Sequence, residues 1–303
     1  MSYFNKLFGI YAENDNKFIY ILGKKINFKK QSKMLELKDI ERLLNKTKND
    51  ILIGTKRLIT TAILHQKTFS EFRNCNFGKE VVMIGAGPTV NNFVPIKNAK
   101  YLALNRAITY DKVHFDYFFT IDVIGIKNYY KEIAEYENCI KFIGDQNMGK
   151  DFQIPESYIT TIKGDVKRYK TSIHMLESNC TYDIDTEPLG NFCTVSLQAM
   201  QFILFTNPKK VYLVGIDCNI GKCGHFTGQT PHIEHRNESY QQNDNNSILG
   251  WKKLKEFRDI YYPETEIISV NPVGLKGVFS DIYTESYLNE HPEIKEELEK
   301  KNC

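Results

Sequence analysis

Residues 79–90 read KEVVMIGAGPTV. Val81, Val82, Met83 and Ile84 form a short apolar run that stops abruptly at Gly85-Ala86-Gly87-Pro88-Thr89. A run with no polar alternation, closed by a glycine turn, is the pattern of a parallel strand buried on both faces. Similar runs recur downstream: YLALNRA at 101–107, DYFFTID at 116–122, CIKFIG at 139–144, KKVYLVGID at 209–217 and TEIISVNP at 265–272. Helical patterns separate the later ones. TVSLQAMQFILFT at 194–206 carries an apolar face at Val195, Leu197, Ala199, Met200, Ile203 and Leu204, and SILGWKKLKEFRDIYY at 247–262 is amphipathic. Strands alternating with helices predict an α/β fold with a Rossmann-like, doubly wound, mainly parallel sheet.

That domain is expected over 78–283. Ahead of it, 1–77 reads as an appendage. FGIYAE and KFIYILG, separated by the turn cluster ENDN, predict a hairpin. Residues 34–74 then read as helix, with Leu35, Ile40, Leu43 and Leu44 on one face and Ile51, Leu58, Ile59 and Ile63 continuing it after a break near Asn49. Residues 284–303 read as a charged helical tail.

Composition narrows the class. The 303 residues are 42% hydrophobic and 25% charged, the balance of a globular chain. No apolar stretch nears the roughly 20 residues that span a bilayer, and the opening residues lack a cleavable signal pattern, so a cytoplasmic protein is expected. The net charge is +3 and arginine occurs at only seven positions, which argues against nucleic acid as a partner. Lysines cluster in GKKINFKKQSK at 23–33, a solvated basic edge or a contact for the inner face of the membrane. The seven cysteines are odd in number and scattered, so free thiols are expected. Homo-oligomerisation is left open.

In open parallel sheets ligands bind at the carboxyl ends of strands. The turn Gly85-Ala86-Gly87-Pro88-Thr89 lets backbone approach a ligand and turns amides toward an anion. It departs from the dinucleotide fingerprint, because Val90 stands where the third glycine would be, and it lacks the Lys-Ser/Thr of a P-loop. Asn105-Arg106, Asp122, Asp217 and Asn271 close later strands with groups suited to bases, riboses or phosphates. The loop beyond Asp217 holds Cys218, Cys223, His225, His232 and His235, whose spacing matches no established zinc module. Asp183-Ile184-Asp185 has the D-x-D form that can hold a divalent metal, although no strong apolar strand precedes it.

The ordered set VVMIGAGPTVNNF, YLALNRA, GNFCTVSLQAMQFILFTNPKKVYLVGIDCN and IISVNP resembles the bacterial CMP-sialic acid-dependent sialyltransferases of lipooligosaccharide synthesis. It resembles at least as closely the motility-accessory-factor proteins that glycosylate flagellin with nonulosonic acids, whose relatives share a 6-hydroxymethylpterin diphosphokinase-like domain. The resemblance covers residues 79–283. It implies a nucleotide-sugar donor, most plausibly CMP-linked, a glycan, glycolipid or glycoprotein acceptor, and no required metal or other cofactor. It places Gly85, Gly87, Pro88 and Thr89 near the nucleotide phosphate, Asn105 on the nucleotide, and Gly190, Asn191 and Thr194 around the donor. Asp217 and Asn271 match the later strand-end positions. Two tyrosines of the sialyltransferases correspond to Asn219 and His225, and their general-base histidine falls where this chain has Asn243-Asp244-Asn245-Asn246. A catalytic histidine must then come from His225, His232 or His235.

The leading expectation is therefore a metal-independent glycosyltransferase in which His225, with Asp217, His232 and His235 as further candidates, carries catalysis. One rival is a pterin or nucleotide diphosphotransferase, which needs Mg²⁺ and would draw on Asp122, Asp183 and Asp185. The other is a non-catalytic nucleotide-binding protein.

Overall fold

A computed structural model describes residues 8–13, 16–21, 24–28, 37–121, 123–145, 154–172, 179–192, 194–218, 226, 238–290, 292–293 and 295–296. The chain divides into two compact units, 1–57 and 58–303.

The first unit holds an antiparallel meander of β1 (Phe8–Glu13), β2 (Asn16–Ile21) and β3 (Lys24–Phe28). The expected hairpin thus gains a third strand, KKINF, whose lysines masked it. Helix α1 (Leu37–Phe69) begins in this unit and ends in the second. It runs unbroken through Asn49. A mid-helix Asn or Gly costs at most about 1 kcal/mol against Ala, too little to interrupt an otherwise continuous ladder.

The second unit is built on an eight-stranded sheet, parallel throughout. Its strands are β4 (Glu80–Ile84), β5 (Lys100–Leu104), β6 (Tyr117–Thr120), β7 (Ile140–Asp145), β8 (Val166–Lys170), β9 (Lys210–Val214), β10 (Glu266–Val270) and β11 (Ser280–Ile282). Their spatial order is β11-β10-β9-β4-β5-β6-β7-β8. The chain starts in the middle at β4, winds outward to β8, then returns to lay β9 against the other side of β4. The seam between β4 and β9 is the topological switch point, where open α/β sheets place their ligands.

Both faces of the sheet are buried. Val81, Met83, Leu102, Leu104, Phe119 and Leu213 point into one core, and Val82, Ile84, Ala103, Phe118 and Val214 into the other. Period-two alternation between two dry faces explains why these strands read as unbroken apolar runs. Helix α5 (Val195–Phe205) fills the first core, with all eleven residues buried and Thr194 as its N-cap. Phe119, Phe142 and Phe202 meet there, with Phe142 centred 4.6 Å from each of the others.

Short helices α2 (Val123–Asn128), α3 (Tyr130–Glu135) and α4 (Glu156–Ile159) connect the strands on the β8 side. Helix α6 (Glu238–Tyr261) starts well before the expected residue 247. Helix α7 (Thr284–Glu290) opens the tail. The sequence pattern also passed over β8 and β11. VKRYK at 166–170 is an edge strand in which only Tyr169 is fully buried, so it lacks an apolar run.

Candidate functional site at the strand exits

The exits of β4 and β9 are bonded to each other. Gly85 N–H donates to Val214 C=O and Gly87 N–H to Gly215 C=O, both at 2.8 Å. Gly215 adopts a left-handed φ of 64°. A Cβ at Gly85 would meet Gly215 O at 2.5 Å, and one at Gly87 would collide with the Asp217 carboxylate. The glycines are therefore required first by the packing of one turn on the other. Close approach of a ligand, the reason suggested by the sequence, is not what excludes a side chain there.

Asp217 is the fastener of this corner. Its carboxylate accepts from Thr89 N–H at 3.2 Å and from the Thr89 hydroxyl. Its main-chain carbonyl accepts from Gly274 N–H at 2.8 Å, which ties in the loop after β10. The side chain is buried. Burial pushes its pKa up, and the two Thr89 hydrogen bonds oppose that shift. Both carboxylate oxygens are occupied by Thr89, so Asp217 joins the exits of β4, β9 and β10.

On the other side of β4, Asn105 follows β5 directly with a left-handed φ of 50°, a conformation that Asn tolerates better than most residues. Its Oδ1 accepts from Thr120 Oγ1 at 2.8 Å, which links the exits of β5 and β6. Its Nδ2 donates to no group among the described residues. Asn271 follows β10 in the same way, with a φ of 49°. Its amide is engaged on both sides: Nδ2 donates to Thr284 Oγ1 at 2.7 Å, and Oδ1 accepts from Thr284 N–H at 3.0 Å. Thr284 Oγ1 in turn donates to Asn92 C=O at 2.5 Å. Asn271 thus fixes the start of α7 against the turn after β4.

Gly190, Asn191 and Thr194 come together at the start of α5. The buried amide of Gln201 accepts from Gly190 N–H and Thr181 N–H, both at 2.9 Å, and donates to Gly190 C=O at 3.1 Å. Asn191 donates to Ser172 C=O at 3.3 Å and accepts from Gln198 at 3.5 Å. Gln198 Oε1 accepts from the fully buried Tyr169 hydroxyl at 2.9 Å, and that hydroxyl also lies 3.2 Å from Thr120 C=O. A buried polar relay thus runs from Asn105 through Thr120, Tyr169 and Gln198 to Asn191. Sequence reasoning missed it. The signal available was Gln198 and Gln201, three residues apart on one face of a helix otherwise apolar but for Ser196.

His225, His232 and His235 lie outside the described residues, as do Asp122 and Asn219. Phe226, the next residue after His225, is described. Its N–H donates to Ala86 C=O at 3.0 Å and its ring meets Tyr110 edge-on at 6.2 Å. Another histidine, not singled out from the sequence, is buried. His65 Nδ1 lies 2.8 Å from Ile184 C=O, and its Nε2 accepts from Lys170 N–H at 2.8 Å. The ring is therefore neutral, with its proton on Nδ1, and burial lowers its pKa to about 4.

The D-x-D pair faces elsewhere. Asp183 and Asp185 accept from Arg73 at 3.0 and 2.8 Å. Arg73 also stacks 4.4 Å over Phe205, at the end of α5. Arg73 lies on the approach to β4, so this cluster sits at the amino end of the sheet. Among the described residues, no three His, Cys, Asp or Glu side chains gather as metal ligands.

No protein-family model matches the chain, and no curated protein does. Thirteen solved chains are similar in structure. They include the sialyltransferase CstII from Campylobacter jejuni in complex with CMP-3FNeuAc, at 14% identity and a TM-score of 0.38, covering 63% of this chain and 80% of that one. They also include the α-2,3-sialyltransferase Cst-I from Campylobacter jejuni, at 15% identity and a TM-score of 0.41, covering 63% and 75%. An α-2,3-sialyltransferase from the same organism in apo form shows 14% identity and a TM-score of 0.36, covering 65% and 78%.

Proposed function

We propose that the chain is a glycosyltransferase that moves a sugar from a nucleotide donor, CMP-linked, onto a glycan, glycolipid or glycoprotein acceptor. The carrying observation is the rim of polar strand exits around the β4/β9 switch point, on which Asn105, at the neighbouring exit of β5, keeps its Nδ2 without a partner among the described residues. The ordered motifs that resemble the lipooligosaccharide sialyltransferases lie on this same rim. A sialic acid or related nonulosonic acid is the donor sugar this reading favours.

In this reading Asn105 donates to the nucleotide, and the backbone of Gly85, Gly87, Pro88 and Thr89 faces its phosphate. Gly190, Asn191 and Thr194 border the sugar. A loop histidine takes the proton of the acceptor hydroxyl as the new bond to the anomeric carbon forms and the bond to phosphate breaks. His225 is the first candidate, because its chain neighbour Phe226 is bonded to Ala86 in the glycine turn; His232 and His235 are the others. Asp217 and Asn271 act by position, since their side chains are engaged by Thr89 and Thr284. Neutral donors at the turn and helix starts offset the leaving phosphate, and the reaction proceeds without a metal.

The test is thermal shift with CMP, CDP, UDP, GDP and ADP, with and without Mg²⁺, followed by CMP release from CMP-sialic acid in EDTA. Stabilisation by cytidine nucleotides without Mg²⁺, followed by turnover in EDTA, is expected. Stabilisation by purine nucleotides that requires Mg²⁺ would instead identify a diphosphotransferase, and nucleotide binding without turnover a binding protein.

A further inference from the structure

Helix α1 exposes a row of large apolar side chains that the nucleotide site does not use. Leu44, Ile51, Leu52, Leu58, Ile59 and Ile63 are each between 49 and 65% exposed. Every residue from 48 through 60 is exposed. At about 100° per residue these six fall within an arc of about 140°. Arg42, Lys46, Lys56 and Arg57 fall together on the other side, where Ile53 and the half-buried Leu64 are the exceptions. Between residues 42 and 67 there are six Lys or Arg and a single acid, Asp50.

Self-association through a coiled coil would need a second apolar column three or four residues from the first. Counting on from Leu44, Ile51 and Leu58, those positions hold Thr47 and Lys48, Gly54 and Thr55, and Thr61 and Ala62. The apolar neighbours lie instead at the next residue, Leu52 and Ile59, which widens the face rather than making a seam. A broad apolar face backed by cations is the signature of a helix lying in a membrane interface. No helix among the described residues is long and apolar enough to cross a membrane, so α1 would lie on one.

We propose that α1 docks on an anionic lipid bilayer, with Leu44, Ile51, Leu52, Leu58, Ile59 and Ile63 entering the headgroup boundary and the cations of the polar face, Lys46 and Lys56 among them, drawn to the lipid charge. Lys48, inside the apolar arc, can extend its stem to reach the headgroups. The inference is independent of the nucleotide reading.

The test is flotation of the full chain with vesicles of phosphatidylcholine alone or mixed with phosphatidylglycerol. Recovery with the anionic vesicles should exceed that with neutral ones at least tenfold, about the effect of two basic residues near a charged surface, and should fall in about 0.5 M salt. L52E/I59E and K46E/K56E should each lose about tenfold in binding, with thermal midpoints close to the parent's because all four positions are exposed. Equal binding to neutral and anionic vesicles, or binding unchanged in both variants, would overturn the proposal. So would a concentration-dependent dimer that L52E/I59E abolishes in a chain that does not float.

Discussion

The two ends of the parallel sheet differ in how completely their polar groups are used. At the amino end several satisfy one another. Arg73 holds Asp183 and Asp185. Lys100 Nζ donates to Asp116 at 2.6 Å, and Asp116 also accepts from Tyr101 N–H at 2.9 Å. Lys141, with no exposed surface, donates to Tyr136 C=O and Lys163 C=O, both at 2.6 Å. At the carboxyl end, both carboxylate oxygens of Asp217 and both ends of the Asn271 amide are engaged, whereas Asn105 Nδ2 has no partner among the described residues. A strand-end polar residue is thus not a site merely by position. What distinguishes a ligand contact from a fastener is hydrogen-bonding capacity left over once the fold is made.

The contrast breaks most visibly at the loop histidines. His225→Ala should lower turnover by about 10²–10⁴-fold with little change in nucleotide affinity. Turnover within a few-fold of the parent would pass the role to His232 or His235.

A smaller but still large effect is expected at His65, whose two nitrogens are both used. Its folded pKa of about 4 lies below the ordinary 6.5, so the unfolded chain binds a proton through a window in which the folded chain does not. Its contribution is complete above pH 6.5 and shrinks as pH falls toward 4, by about 3 kcal/mol in all. Denaturant unfolding from pH 7 to pH 4 checks this, with His65→Gln as the control. A pH dependence identical in parent and variant would contradict the assignment of a buried neutral ring.

Asn105→Ala should weaken nucleotide binding by about 1–3 kcal/mol, measured by calorimetry on folded protein. The same substitution also releases Thr120, so stability must be measured alongside. A loss of stability with undiminished affinity would class Asn105 with the fasteners. The least effect belongs to D183A/D185A, which removes an exposed pair with Arg73. About 0–1 kcal/mol of stability should be lost, with nucleotide affinity and EDTA resistance unchanged. A large loss of nucleotide affinity or turnover in that variant would return the D-x-D pair to the chemistry.

The sheet was legible where strands are dry on both faces. VVMI, YLAL, YFFT and KVYLV announce β4, β5, β6 and β9 because neither face has to show water a polar residue. VKRYK did not announce β8, since an edge strand needs only Tyr169 inside. Asn105 could be picked out because it directly follows an apolar run. Its distinction from Asn271 could not, because that depends on Thr284, thirteen residues beyond Asn271 in the chain. Gly87 was noticed for the right reason, absence of a side chain, but the group that demands it is Asp217, far along the chain. The relay through Tyr169 and Gln198 joins four separated segments, and no local pattern encodes that meeting.

The pairing of β4 with β9 also sets a timetable. Thr89 and Asp217 are 128 residues apart, and a ribosome adding about 5–20 residues per second needs roughly 6–26 s to cover that distance. During that interval β4 is made, β5 through β8 can line up beside it, and its other edge waits for a strand not yet synthesised. The glycine turn takes its final form only when Gly215 and Asp217 arrive, so the corner at the strand exits is completed late in synthesis, and a chain stopped before β9 would carry most of a sheet with one raw inner edge.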